Sequence, residues 1–168
     1  YPVVIAPTRK QELNENLLMF FTGFTRFSSE IQQSILKDDN SLKRKESLKE
    51  MAQLVDEAEK VLTDQARPLD EFGLLLNETW RLKRQTNKAV STDCIDDLYR
   101  KGIAAGALGG KLLGAGGGGF LVFYVPSEHR NRVIEAMHGL LNIPFKFENE
   151  GTKIIYYSPE TYEPREPI

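Results

Sequence analysis

Cysteine is almost missing from this sequence: Cys94 is the only one in 168 residues, so no disulfide within the chain can staple the fold. A lone thiol suits a reducing cytosol, and a cytoplasmic location with a structural role for Cys94 is expected. Histidine is scarce too. His129 and His138 stand nine apart on one predicted helix, about two and a half turns, so they point to different sides and do not make a metal pair; no metal site is expected, and both are read as solvated surface positions. Long apolar runs are lacking, with nothing near the ~18 residues of a membrane span. A strong net charge is lacking as well: −2 and a pI near 5.8 give no global attraction for nucleic acid or an anionic membrane. The opening YPVVIAPTRK has neither an initiating methionine nor the regions of a signal peptide, and is expected to be the start of a piece cut from a longer polypeptide.

What is present suits one globular domain, 40% hydrophobic and 27% charged. Val3 to Ala6 reads as a short strand stopped by Pro7, and Leu17 to Thr22 as a central strand, apolar on both faces. Ser28 or Ser29 can cap a helix carrying Ile31, Ile35 and Leu36. From Ser41 to about Asp64, Leu48, Met51, Ala52, Val55, Ala58 and Leu62 recur at helical spacing, with Asp56 and Lys60 able to pair on the opposite face. Pro68 opens the next helix, whose buried stripe is Leu69, Phe72, Leu76 and Trp80. Ser91, Thr92 and Asp93 are candidate caps for a helix that buries Ile95, Leu98, Tyr99 and Ile103. Phe120 to Val125 reads as an inner strand. Ser127 is expected to cap a helix burying Val133, Ile134, Met137, Leu140 and Leu141, and Phe145 to Glu148 with Lys153 to Tyr157 read as a hairpin. Residues 159–168, rich in proline and charge, form an extended tail. This order predicts an α+β fold, an antiparallel or mixed sheet covered mainly on one face.

The most informative stretch is LLGAGGGGF, residues 112–120, where five of the thirteen glycines fall between Gly114 and Gly119. Ordering glycine costs more backbone entropy than ordering any other residue, so the cluster needs a reason. Gly114, Gly116 and Gly119 satisfy G-x-G-x-x-G, but a strand follows here where a dinucleotide loop needs a helix. Gly110-Lys111 is not a Walker loop, because no glycine stands five positions earlier and Leu112 replaces the metal-binding hydroxyl. Two readings stay open: a tight packed connection, or consecutive backbone N–H groups of mixed hand forming a concave anion site.

GALGGKLLGAGGGGFLVFYVP resembles the C-terminal glycine-rich motif of the GHMP kinases. LLMFFTGFTRFSSEI, NETWRLKRQTNKAVSTDCIDDLYRKGIAAGALGGKLLGAGGGGF and VPSEHRNRVIEAM are similar to the D-glycero-D-manno-heptose 7-phosphate kinases, with fucokinases as near relatives. The resemblance runs from about residue 3 to 158 and implies the C-terminal, ferredoxin-like domain of that superfamily over 1–158, with 159–168 as the tail. It implies ATP- and Mg2+-dependent phosphoryl transfer to a sugar hydroxyl, expected to be the anomeric one, at a cleft against an N-terminal kinase domain. The family's ATP loop, P-x-x-x-G-L-x-S-S, is absent from these residues, as are its acidic catalytic and magnesium positions. No catalytic residue is therefore assigned, and this chain alone is expected to be inactive.

The implied partners are a sugar phosphate, ATP and the N-terminal kinase domain; neither nucleic acid nor membrane is expected, and a homodimer is left open. The phosphate- or substrate-facing loop comprises Gly114, Ala115, Gly116, Gly117, Gly118 and Gly119. Arg26 is the next candidate, because a planar guanidinium can bind two oxygens of a sugar phosphate; the alternative is a surface arginine. Thr22 and Gly23 let substrate pass close to the strand end or simply make a turn, and Lys111 faces phosphates or solvent. Asp93, Asp96 and Asp97 read as cap and dipole partners before a cation site, and Lys43 to Lys45 as a solvated helix face. The alternative functions are a fucokinase or other small-molecule kinase of this superfamily, or a stand-alone metabolite-binding module that does no catalysis.

Overall fold

The computed structural model describes residues 3–23, 41–149 and 151–156. Two apolar pentapeptides organise it. LLMFF forms β1 (Leu17–Phe21) and FLVFY forms β3 (Phe120–Tyr124), paired antiparallel with Leu17 opposite Tyr124 and Phe21 opposite Phe120. With β2 (Gly109–Leu112) and β4 (Leu141–Asn142) they make an antiparallel sheet in the order β2-β3-β1-β4. Strands flanked on both sides and covered on both faces are apolar at successive positions, which is how these two read in the sequence.

Five helices surround the sheet among the described residues: α1 (Pro7–Asn16), α2 (Ser41–Thr63), α3 (Asp70–Thr86), α4 (Asp93–Ala104) and α5 (Arg130–Ala136). On one face, Leu18, Phe20, Leu121 and Phe123 pack against Ile95 and Tyr99 of α4, Val133 of α5 and Met137. Leu17, Val122 and Tyr124 on the other face meet Leu13, Val61 and Leu69. Helix α3 runs along the β2 edge and serves both cores, sending Trp80 to the first and Phe72 and Leu76 to the second. That approach is close. A Cβ on Gly109 would lie 2.0 Å from the Gly73 carbonyl oxygen, and one on Gly73 would lie 2.6 Å from the Tyr124 ring. Two missing side chains therefore set how near α3 comes to the sheet.

Several elements depart from the sequence reading. Residues 3–6 form no strand, and PTRKQELNEN is helix α1, with Pro7 in its first turn instead of ending a strand. Its polar sequence has no apolar stripe; the helix is tied down by Arg9, which is buried and donates to the carbonyls of Val61 in the last turn of α2 (Nε, 3.0 Å) and of Arg67 beyond its end (2.8 Å). Strand β2 went unread because GGKL has little strand propensity, and its glycines answer to α3 instead. Along α2, Leu48 and Val55 are exposed while Ser47 and Val61 are buried, so the inward face is rotated from the expected stripe. Lys60 pairs with Glu57 (3.2 Å), not with Asp56.

The predicted hairpin is not formed over 145–149 and 151–156: Phe145 and Phe147 stack edge to face (5.8 Å) and pack on the second core from irregular chain, which leaves no strand partner, and Ile154 and Ile155 are exposed. Ser127 opens a 3-10 turn, with its hydroxyl directed to Glu128 and not to a helix amide. Helix α5 ends at Ala136, and Leu141, read as a buried helix position, is exposed on β4 opposite Phe21. His129, read as solvated, is half-buried with its ring over Gly106. Of the three candidate caps, Thr92 accepts from the Ile95 amide (3.3 Å). The helix expected after Ser28, Arg26, and the tail at 159–168 lie outside the described residues.

Substituting Gly109→Ala should push α3 off the β2 edge and destabilise the chain by about 2–3 kcal/mol, as overpacking against backbone does. Urea denaturation would measure it. A loss below roughly 0.5 kcal/mol, within the range of an ordinary surface substitution, would contradict the close-approach account.

Candidate functional site: the β2–β3 glycine loop

Strands β2 and β3 are adjacent and antiparallel, so the chain between them must reverse over Leu113 to Gly119. The Leu113 amide closes the turn on the Phe120 carbonyl (2.8 Å). Beyond that bond the path enters the left-handed region at Gly114 (φ +81°), Gly116 (+120°), Gly117 (+74°) and Gly119 (+107°), but not at Ala115 or Gly118. A peptide chain that changes hand in this way turns successive N–H groups toward a common concavity, the arrangement that binds anions. At Gly116 space also forbids a side chain, since a Cβ would lie 2.8 Å from Val90 backbone atoms.

Three tethers hold this path. The Gly117 amide donates to the Val90 carbonyl (2.9 Å), at the end of the 3-10 turn Lys88–Val90. Thr22, buried just after β1, clasps Gly119 from both sides: its amide (2.9 Å) and hydroxyl (3.0 Å) donate to the Gly119 carbonyl, and the Gly119 amide donates back to the hydroxyl (3.2 Å). Lys83, in the last turn of α3, donates through Nζ to the carbonyls of Gly114 (2.6 Å) and Leu112 (3.3 Å). The amides of Gly114, Ala115, Gly116 and Gly118 have no partner among the described residues.

Among the described residues, two cations flank the loop. Lys111 of β2 lies on the Val122 face and lines a cavity of about 810 Å³ with Leu17, Phe72, Leu76, Val122 and Phe147. Burial lowers the proton affinity of the Lys111 ammonium, and burial together with the nearby Lys111 charge lowers that of Lys83. Both groups therefore gain from a neutralising anion. Phe21 and Phe120 stack at 5.4 Å at the same end of the sheet, where Leu113, Phe120 and Leu141 are left exposed.

The structure thus brings Thr22, Gly23, Lys111 and the six loop residues to one end of the sheet. Thr22 spends its hydroxyl on the loop, and Gly23 follows it at φ +78° with open space around it. Lys83 and Val90 were missed: a lysine in a last helical turn looks like a partner for the helix dipole, and Val90 contributes only backbone. Asp96 accepts from Ser91 (2.6 Å) and Arg84 (2.8 Å), and Asp97 pairs with Arg100.

The site is thus a β2–β3 glycine loop with four amides unpartnered among the described residues and two lysines beside it, carried on an antiparallel sheet with helices at its edge and faces. The family described as GHMP kinases C terminal matches residues 38–142, and the chain belongs to that family. It is 30% identical over 165 residues to the D-glycero-alpha-D-manno-heptose 7-phosphate kinase of Campylobacter jejuni, covering 90% of this chain and 46% of that protein. To the bifunctional fucokinase/GDP-fucose pyrophosphorylase of Arabidopsis thaliana it is 31% identical over 123 residues, 71% of this chain and 11% of that one. The chain therefore spans less than half the length of either. The mevalonate kinase of Methanococcus jannaschii shares the fold, with a TM-score of 0.69 at 23% identity over 86% of this chain and 44% of that one.

Two outcomes follow. Thr22→Val should cost about 1–2 kcal/mol by leaving the Gly119 amide unpaired, with faster hydrogen exchange at Gly119 before any global loosening; unchanged exchange there would refute the clasp. Lys111→Met should raise the titration midpoint of Lys83, read by NMR at its Cε, because a like charge is removed. An unchanged midpoint would mean the two ammonium groups do not interact.

Proposed function

We propose that this chain is the C-terminal half of an ATP-dependent sugar kinase that phosphorylates the anomeric hydroxyl of a heptose 7-phosphate or a closely related sugar. The observation that carries the reading is the set of amides at Gly114, Ala115, Gly116 and Gly118, unpartnered among the described residues, in a chain of this family. Phosphoryl transfer asks a protein mainly to position reactants and to stabilise spread negative charge, and preorganised amides with nearby cations do both. The loop holds phosphoryl oxygens, Lys111 supplies charge at its rim, and Thr22 keeps the loop in shape beside Gly23. Arg26, beyond the described residues, is assigned to the sugar phosphate.

This donor set suits oxyanions and not a divalent cation, for which hard oxygen ligands are needed. Mg2+, which would neutralise nucleotide phosphate charge when bound, and the base that takes the hydroxyl proton are assigned to an N-terminal kinase domain. That domain is placed against the end of the sheet where Leu113, Phe120 and Leu141 are exposed. Residues 1–158 form the C-terminal domain and 159–168 a tail. Dependence on ATP and a phosphorylated sugar places the enzyme in the cytoplasm, and no helix among the described residues is long and apolar enough to cross a membrane.

The test is turnover by the complete reading frame that encodes this chain, with ATP and D-glycero-D-manno-heptose 7-phosphate, and L-fucose as the comparison. ADP release with a new anomeric phosphate by 31P NMR is expected, falling roughly 10²–10³-fold in Gly117→Val, as when oxyanion donors are displaced. No turnover with either sugar, or full activity in Gly117→Val, would overturn the reading.

A further inference from the structure

One tether of the glycine loop is a charged side chain, and its geometry determines more than its own bonds. Lys83 Nζ grips the carbonyl of Gly114 at 2.6 Å and that of Leu112 at 3.3 Å. No cis peptide interrupts the chain among the described residues, and in a planar trans peptide the N–H points opposite to the C=O. Holding the Gly114 carbonyl toward α3 therefore aims the Ala115 amide away from α3. Holding the Leu112 carbonyl likewise aims the Leu113 amide into the hairpin, where it meets the Phe120 carbonyl at 2.8 Å. A single ammonium thus orients one amide for the sheet and one that has no partner among the described residues. No carboxylate pairs with Lys83 among the described residues, so its charge is committed to these two carbonyls.

We infer that Lys83 is a positioning residue for an oxyanion cradle: by gripping the carbonyl on the far side of the peptide it fixes the direction of the Ala115 N–H, without itself touching the anion. The inference rests on the loop being an anion site, as proposed above, and adds the device that keeps one donor aimed before ligand arrives. The other free amides owe their direction to different tethers, the Gly117 bond to Val90 and the Thr22 clasp. A flexible glycine path without Lys83 would have to be ordered by the ligand itself, at a cost in affinity.

The test uses the 15N-labelled chain with Lys83→Met and Lys83→Arg variants, and inorganic pyrophosphate as the probe. Without ligand, Lys83→Met should move the Ala115 amide resonance toward the averaged position of a mobile loop and raise its fast-timescale motion, while Lys83→Arg, which can still donate to both carbonyls, restores it. Pyrophosphate should bind about tenfold more weakly to Lys83→Met, as expected from losing a charged hydrogen bond, and within about threefold of normal to Lys83→Arg. An Ala115 amide and a pyrophosphate affinity both unchanged in Lys83→Met would overturn the inference. If that variant does not fold, the unsubstituted chain decides: Ala115 N–H and Lys83 Nζ should shift together with one dissociation constant, and Nζ unmoved while Ala115 shifts refutes the coupling. If pyrophosphate shifts no loop amide at all, the anion-site reading fails, and the ligand-free comparison of Ala115 still judges Lys83.

Discussion

The structure depends on holding a seven-residue reversal, Leu113 to Gly119, in a path that ordinary residues resist. For L-residues the left-handed region costs roughly 1–2 kcal/mol at each position, and four such positions would approach the 5–15 kcal/mol that stabilises a whole domain. Glycine removes that penalty but leaves the path undetermined, so its direction must be imposed from outside. The surrounding elements impose it. Strand β1 lies beside β3 and brings Thr22 to Gly119, the turn after α3 brings the Val90 carbonyl to Gly117, and α3 brings Lys83 to Gly114.

The close approach of α3 to β2 takes on a functional meaning in that light. Gly73 and Gly109 let the helix lie almost on the strand backbone, and the same helix delivers Lys83 one strand length further on. A bulkier contact would lift α3 and with it the cation that grips the loop. The network in which Tyr124 donates to Asp70 (3.1 Å) and accepts from Asn16 (3.0 Å) fixes the other end of this helix against β3 and the end of α1. Packing and loop shape are one construction, because β1 and α3, which build both cores, and Val90, which belongs to the first, also carry the tethers.

How far the sequence discloses this depends on whether a feature is local. The apolar strands LLMFF and FLVFY, the stripe Phe72, Leu76 and Trp80, and the cap at Thr92 follow from periodicity and capping chemistry, and all are seen. Helix α1 and strand β2 are not local: one depends on Arg9 reaching carbonyls more than fifty residues away, the other on a helix that tolerates no side chain on Gly109. At the site, the glycine cluster announced itself through its cost, and Thr22 and Lys111 were within reach of residue type and position. Lys83 was hidden because its role is to hold a backbone carbonyl, and no spacing in the sequence reports which carbonyl a lysine will find.

The most direct measurement is a crystal structure of the product of the complete reading frame that encodes this chain, grown with a non-hydrolysable ATP analogue and D-glycero-D-manno-heptose 7-phosphate. The account predicts phosphoryl oxygens within about 2.7–3.2 Å of amide nitrogens among Gly114, Ala115, Gly116 and Gly118, with the tethers at Thr22, Lys83 and Val90 intact. Ligand phosphates bound elsewhere, with those four amides facing solvent or covered by hydrocarbon, would contradict it.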